Sequence, residues 1–135
     1  NLRQANDRFY RALENLDIED MEGLWLHSGW VRCVHPGWDA VVGWEAVRQS
    51  WEQIFGNTRW MRITATGVDV AAWGDVGAVA CAENITAARE EEEVGMAVAQ
   101  ATNLYRRTPE GWRMIHHHSS AAPVQVPEPF SGKIQ

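Results

Sequence analysis

Three consecutive histidines, His116, His117 and His118, stand near the end of the chain, and imidazole is the side chain most often used to move a proton or bind a metal at neutral pH. They lie in an apolar stretch, residues 111–120, that is typical of a strand. Since strand side chains alternate between faces, His116 and His118 share a face, about 7 Å apart, and His117 lies on the other. Zinc needs three or four converging ligands. The sequence contains no HExxH helix and no Cys-x-x-Cys pair, so we predict no metal site.

The more conservative interpretation of these histidines is hydrogen bonding within a sheet or an interface, with a role in a pocket for one of them as the alternative. Ser119 follows a histidine, but adjacent strand residues face opposite ways, so the pair does not make a nucleophile and its base. The sequence has no GxGxxG, GxxxxGK[ST] or GxSxG motif, which argues against nucleotide binding and a serine hydrolase. We predict no cofactor.

Composition narrows the class of partner. The 135 residues carry a formal net charge of −6, which disfavours nucleic acid and anionic membrane surfaces as partners. No run of 18 apolar residues predicts a membrane span, and no signal peptide is visible in the residues given. Cys33 and Cys81 lie in apolar runs, as expected for buried thiols in a reducing cytoplasm. Eight tryptophans suit the walls of a pocket as well as a core.

The elements that must position these residues follow from periodicity. Apolar residues recur every three to four positions in 2–16, in a segment after Asp17 that closes at Gly29, and in 43–55, which predicts three helices. A short strand, 30–34, and a turn-rich loop, 35–39, separate the last two. From Thr58 the period changes to two, and strands are predicted at 60–73 (irregular near Gly67), 76–88, 94–107 and 111–120.

This order predicts an α+β domain over residues 1–122, in which a curved antiparallel sheet has the three N-terminal helices packed on its concave face. Residues 123–135 contain three prolines and are predicted to form an extended tail.

The side chains of the predicted strand 94–107 indicate where a cavity would lie. One face carries Ala97, Ala99, Ala101, Asn103 and Tyr105. Small side chains in phase leave space that either tryptophans or a ligand must fill. The opposite face is apolar enough to need a partner, which predicts a homodimer through the outer face of the sheet.

With these elements in place, the chain resembles the nuclear transport factor 2-like superfamily, including SnoaL-like cyclases and ketosteroid isomerase-like proteins. Residues 105–123, which include the three histidines, are similar to the end of the calcium/calmodulin-dependent protein kinase association domain. The loop 35–39, Gly43 and the helix ending at Phe55 are similar to many SnoaL-like proteins. The resemblance implies a cone-shaped, strongly curved sheet, a dimer or higher oligomer, and a pocket between sheet and helices. In the association domain arginines project into that pocket, and their places here fall to Asn84, Asn103 and Ser119, which implies a neutral pocket.

Isomerase and cyclase relatives use a carboxylate as general base in an apolar pocket, with hydrogen-bond donors for the developing oxyanion. By this resemblance Asp39 is the first candidate carboxylate and Glu83 the second, and His35 could pair with Asp39. The candidate donors are Tyr105, His117 and Asn103, and the candidate walls for the substrate are Trp38 and Trp44. The alternative for Asp39 is a turn residue that bonds its own backbone, and for Asn84 and Asn103 a satisfied polar pair in a sheet.

Two functions therefore remain open. One is a cofactor-independent isomerase, cyclase or dehydratase that acts on a mostly apolar, uncharged small molecule. The other is a non-catalytic ligand-binding or oligomerisation domain with the same architecture, since one fold serves many functions.

Overall fold

Three helices precede most of the sheet in the computed structural model, which describes residues 1–122. They are α1 (Leu2–Glu14), α2 (Ile18–Leu24) and α3 (Trp44–Gly56). The side chain of Asn1 accepts from the backbone N–H of Gln4 at the start of α1, and Asp17 caps α2 as predicted. Within the described residues, no helix has the length and apolar character needed to cross a membrane. The predicted tail, 123–135, lies outside the described residues.

The six strands form one curved, open sheet. They are β1 (Arg32–Val34), β2 (Val41–Val42), β3 (Thr58–Trp73), β4 (Val76–Arg89), β5 (Gly95–Thr108) and β6 (Gly111–Ala122), in the spatial order β2-β1-β6-β5-β4-β3. The predicted α+β class and the four-stranded meander are confirmed. β1 pairs with β6 in parallel, and β2, which was not predicted, pairs with β1. The strand with the three histidines, β6, thus lies between β1 and β5.

The concave face is set by the alternation in β5. Ala99, Ala101, Asn103 and Tyr105 are all buried, so the predicted row does face the helices. The irregularity predicted near Gly67 is present as a register shift between Thr66 and Asp69. There Gly67 has a φ of 59°, a conformation that other residues adopt only with strain.

A bulge in β6 changes the face of one residue. Leu104 pairs with His116 while Tyr105 pairs with Met114, so Ile115 is the extra residue. Strict alternation along β6 would put Met114 on the face of His116 and Ile115 on the face of His117. The bulge instead turns Met114 inward, fully buried, while His117 and Ser119 keep the inner face.

α1 seals one side of the sheet. Its apolar stripe buries Phe9 and Leu13, and Leu2 packs on β4 at Gly77. A Cβ at that glycine would lie 2.5 Å from the Cδ2 atom of Leu2, so a larger residue requires the Leu2 side chain or α1 to move.

Candidate functional site

A cavity of about 510 Å³ lies between the inner face of the sheet and helices α1 and α3. Most of its walls are apolar, with Leu13 contributed by α1, Ile54 by α3 and Ile63 by β3. Five buried polar side chains also line it: His35, Thr58, Glu83, His117 and Ser119. The exposed side chains of Arg89, Glu92 and Glu93, near the β4–β5 turn, line its outer part.

Glu83 is a carboxyl group held inside the protein, only 2% exposed. Its Oε2 accepts a hydrogen bond of 2.7 Å from the Tyr10 hydroxyl, and its Oε1 one of 2.5 Å from the Ser119 hydroxyl. Burial raises the pKa of Glu83, and the two hydrogen bonds oppose that shift without cancelling it. The group can therefore exchange a proton closer to neutral pH than an exposed glutamate.

His117 is a neutral base at pH 7. Burial, helped by the nearby His35, His116 and His118, lowers its pKa to about 3. Its Nδ1 lies 2.6 Å from the Oδ1 atom of Asn103. Among the described residues Nε2 has no hydrogen-bond partner, which leaves its side of the ring for a ligand in the cavity.

His35 is the second buried imidazole of the cavity, and burial lowers its pKa to about 4. Its Nε2 lies 2.9 Å from the Ser50 hydroxyl, which itself donates to the Val47 carbonyl. Because that hydroxyl hydrogen is already used, Nε2 of His35 must be the donor. The ring packs edge-on against Trp38 and Trp51, so the imidazole is held at a fixed angle in the wall.

Behind the cavity, α1 contributes two polar side chains to its otherwise apolar buried face. Asn6 accepts from the Tyr105 hydroxyl at 2.8 Å and from the Asn103 amide at 2.9 Å. Tyr10 accepts from Asn103 at 3.1 Å and also lies 3.1 Å from the Cys81 sulfur. Burial raises the pKa of both tyrosines, so each remains a neutral hydroxyl. A continuous hydrogen-bonded network thus joins α1, β4, β5 and β6.

The structure brings together most of the residues predicted for the site. His35, Trp38, His117 and Ser119 line the cavity. Asn103 and Tyr105 are buried directly behind it.

Three predicted residues lie elsewhere. Asp39 is exposed and does not line the cavity. Asn84 lies on the outer face, where it donates to the Thr64 carbonyl, because the neighbouring Glu83 takes the inner position. Trp44 stacks on His27 with 4.5 Å between ring centres, away from the cavity.

Sequence reasoning missed the supporting residues Asn6, Tyr10 and Ser50. A signal was present for the first two. Both occupy the buried face of α1, four residues apart, at positions where its pattern calls for apolar side chains. A polar residue at such a position needs a buried partner. The partner could not be identified without the sheet.

These groups suit proton transfer to a molecule in the cavity. A carboxyl with a raised pKa and a neutral imidazole with a free nitrogen form a pair that can act as acid and base. Arg89, which is exposed, is the one lysine or arginine among the lining residues of the described chain, so the buried part offers no cation to an anionic group. Within residues 1–122 no group of three or more His, Cys, Asp or Glu side chains is placed to hold a metal ion.

Comparison with known proteins gives consistent matches. The model of the SnoaL-like domain matches residues 2–125. A proposed dehydratase of the NTF2-like family from Streptomyces avermitilis is 34% identical, with a TM-score of 0.84, over 90% of this chain and 93% of that one. A proposed calcium/calmodulin-dependent protein kinase type II association domain from Thiobacillus denitrificans is 30% identical, with a TM-score of 0.74, over 88% and 93% of the two chains. The F-box protein SKIP8 of Arabidopsis thaliana is 25% identical over 86% of this chain, which spans 47% of that protein.

Proposed function

The chain belongs to the SnoaL-like domain family of the nuclear transport factor 2-like superfamily, and from this premise we propose that it is a cofactor-independent enzyme that transfers protons on an apolar, uncharged carbonyl compound. The observation that carries the proposal is the presence of a buried carboxyl, Glu83, and a neutral imidazole with a free nitrogen, His117, in one cavity. A family resemblance alone does not establish a reaction, so the argument depends on these two groups.

In the proposed reaction His117 is the base. Its Nε2 removes the proton next to the carbonyl group of the substrate, and the electron pair moves into the carbonyl to give an enol or enolate. Glu83, whose pKa is raised by burial, is the acid, either directly or through the Ser119 hydroxyl that contacts it.

In a dehydration this acid protonates the β-hydroxyl, which leaves as water while the C=C bond forms. In an isomerisation Glu83 donates its own proton to another carbon, and the cycle closes when His117 releases the proton that it took and Glu83 takes one up. The S. avermitilis protein is named a proposed dehydratase, and its 34% identity makes dehydration of a β-hydroxy ketone the first reaction to test.

The cavity favours a neutral substrate. A carboxylate or phosphate at its buried end would face Glu83 without a compensating cation, and a buried unpaired charge is costly. Apolar walls and the Trp51 ring suit a hydrophobic, ring-sized molecule. His35, whose Nε2–H is used by Ser50, is a second neutral group, and its Nδ1 can accept a hydrogen bond from a substrate hydroxyl.

Proton exchange in heavy water tests the proposal without knowledge of the substrate. A panel of apolar cyclic ketones and β-hydroxy ketones is incubated with the protein in D₂O, and loss of the α-proton signal is followed by NMR. We expect exchange or dehydration of at least one compound above the rate with Glu83→Gln. Equal rates for the two proteins across the panel would refute the enzymatic proposal.

A non-catalytic ligand-binding or association domain is the second candidate. It is favoured by the T. denitrificans structure, which is named an association domain and is 30% identical. Under this function the cavity would bind a small molecule, detectable as a thermal shift, and the variant Glu83→Gln would alter binding without any chemical change in the ligand.

We further propose that two copies associate through the outer face of the sheet. The residues aligned across that face are Ala80, Thr102 and His118, and all three are exposed in the single chain. Small side chains in the row leave a surface on which a second sheet can pack closely.

Cys33 and Cys81 are both buried free thiols, which supports the cytoplasm as the proposed location.

A further inference from the structure

Asn103 is the junction of the buried network. It is fully buried on β5 and is paired in register with His117 on β6. Its amide nitrogen donates to the Oδ1 atom of Asn6 at 2.9 Å and to the Tyr10 hydroxyl at 3.1 Å. Its carbonyl oxygen lies 2.6 Å from Nδ1 of His117. A single side chain therefore contacts one candidate catalytic group, His117, and reaches the other, Glu83, through one hydroxyl.

The orientation of this amide follows from its neighbours. The Oδ1 atom of Asn6 already accepts from the Tyr105 hydroxyl, and an oxygen can use its second lone pair only with another donor. The amide nitrogen of Asn103 must therefore face Asn6, which turns its carbonyl oxygen toward His117. Because that oxygen can only accept, the proton of the neutral imidazole is placed on Nδ1.

We propose that Asn103 is a positioning residue that fixes the proton of His117 on Nδ1 and so presents the Nε2 lone pair to the cavity. This inference rests on the proposed function, in which Nε2 is the base. Asn103 is not among the lining residues, so it acts on a substrate only through His117. Without an acceptor at Nδ1, nothing in the described network would hold the proton on that side of the ring.

The same amide sets the direction of a second hydrogen bond. Since its nitrogen donates to the Tyr10 oxygen, the hydrogen of Tyr10 is free to point at Oε2 of Glu83, 2.7 Å away. Asn103 therefore orients two hydrogen bonds: the one that the Tyr10 hydroxyl donates to Glu83, and the one that its own carbonyl oxygen accepts from His117. The chain from Tyr105 through Asn6 to Asn103 ties both to helix α1.

The test is nitrogen NMR of protein labelled with ¹⁵N in its histidines. In the wild type we expect the Nδ1 resonance of His117 in the protonated range and Nε2 in the unprotonated range, at neutral pH and without ligand. In Asn103→Leu, which removes the acceptor, we expect the Nε2-protonated form to appear. Asn103→Asp retains an acceptor oxygen, so Nδ1 should stay protonated.

The control is Asn84→Leu, an asparagine on the outer face of the neighbouring strand, which should leave the His117 resonances unchanged. Should Asn103→Leu fail to fold, the wild type and Asn103→Asp still carry the test.

A wild-type His117 protonated on Nε2 and bare on Nδ1 would overturn the inference, as would an unchanged tautomer in a folded Asn103→Leu. The measurement needs no substrate, so its outcome is separate from that of the exchange assay. If the D₂O assay detects no exchange while Nδ1 of His117 is protonated, the proposed reaction is refuted and the positioning of the proton by Asn103 still holds.

Discussion

The hydroxyl of Ser119 on β6 lies 2.5 Å from the carboxyl of Glu83 on β4, so the two side chains meet across the strand between them. On that strand, β5, Ala99 is paired with Glu83 and Ala101 with Ser119. Both alanines are buried on the same inner face. Because a methyl group is the only side chain at either position, the carboxyl and the hydroxyl can reach each other above β5.

Enlarging Ala99 should therefore separate the pair. We expect Ala99→Leu to lower the free energy of unfolding by about 1–3 kcal/mol, as overpacking of a buried site does, and to block ligand binding in the cavity. Urea unfolding and thermal shift with a bound ketone measure the two effects. Ala72→Leu, at an exposed position of β3, is the matched control and should change neither. A fully stable Ala99→Leu that still binds the ketone would contradict this account.

Replacement of the Glu83 carboxyl by an amide, which has no proton to transfer as an acid, should slow proton transfer strongly while the fold persists. General acid–base catalysis contributes about 10²- to 10⁴-fold to a rate, so we expect a loss of that order in D₂O exchange for Glu83→Gln, with an unfolding midpoint near that of the wild type. Asp39→Asn is the matched control, because Asp39 is an exposed carboxylate outside the cavity lining. If the Asp39 variant lost activity and the Glu83 variant kept it, the assignment of the carboxyl would be reversed.

Stability should fall in mild acid because of His35. Its pKa is lowered from 6.5 to about 4 by burial, so between these values the unfolded chain binds a proton that the folded chain does not. Its contribution to stability is complete above 6.5 and is lost as the pH falls toward 4, by up to about 1.4 kcal/mol per pH unit. His117 acts in the same direction. Glu83, whose pKa is raised, acts in the opposite direction, since its folded carboxyl takes up a proton first.

Urea unfolding at several pH values isolates the His35 contribution. His35→Gln keeps a donor for Ser50 and cannot titrate, so the decline of its unfolding free energy between neutral pH and about pH 5 should be shallower than in the wild type. His27→Gln, an exposed histidine outside the sheet, should follow the wild type. Parallel curves for His35→Gln and the wild type would show that the buried imidazole makes no such contribution.

A charge on the outer face of the sheet should separate the proposed dimer. Ala80 lies in the exposed transverse row with Thr102 and His118, and a glutamate there would meet its own copy or an apolar partner surface. We expect Ala80→Glu to sediment as a monomer at micromolar concentration. Ala40→Glu, in the exposed loop before β2, makes the same chemical change and should sediment as the wild type does. A wild type that is already monomeric would rule out this interface.

Periodicity was enough to predict the architecture. The three helices, the meander and the inward row from Ala99 to Tyr105 each follow from local alternation, because burial imposes a period of 3.6 on a helix and 2 on a strand. The same row predicted space beneath the helices but left open whether tryptophans or a ligand would fill it. The family resemblance, rather than periodicity, put His117 and Ser119 on the inner face, where both are buried.

The carboxyl could not be chosen in the same way. Asp39 and Glu83 were both candidates, and the family resemblance favoured the loop residue. Which one enters the cavity depends on the pairing of β4 with β5, which sets Glu83 opposite Ala99 and turns Asn84 outward. A shift of one residue in that register would turn Asn84 inward and Glu83 outward. Register is fixed by contacts between segments that are distant in sequence.

The sequence by itself therefore determined the class of fold, the presence of a hollow sheet and most of the residues that face it. Only the tertiary structure decided which acid is buried, that Met114 turns inward at a bulge, and that Asn6 and Tyr10 of α1 hydrogen-bond to Asn103 and to Glu83. The physical reason is that patterns of burial are local and repeat along the chain. Hydrogen bonds such as Tyr10 to Glu83 join residues 73 positions apart, and they are defined only when the helix and the sheet come together.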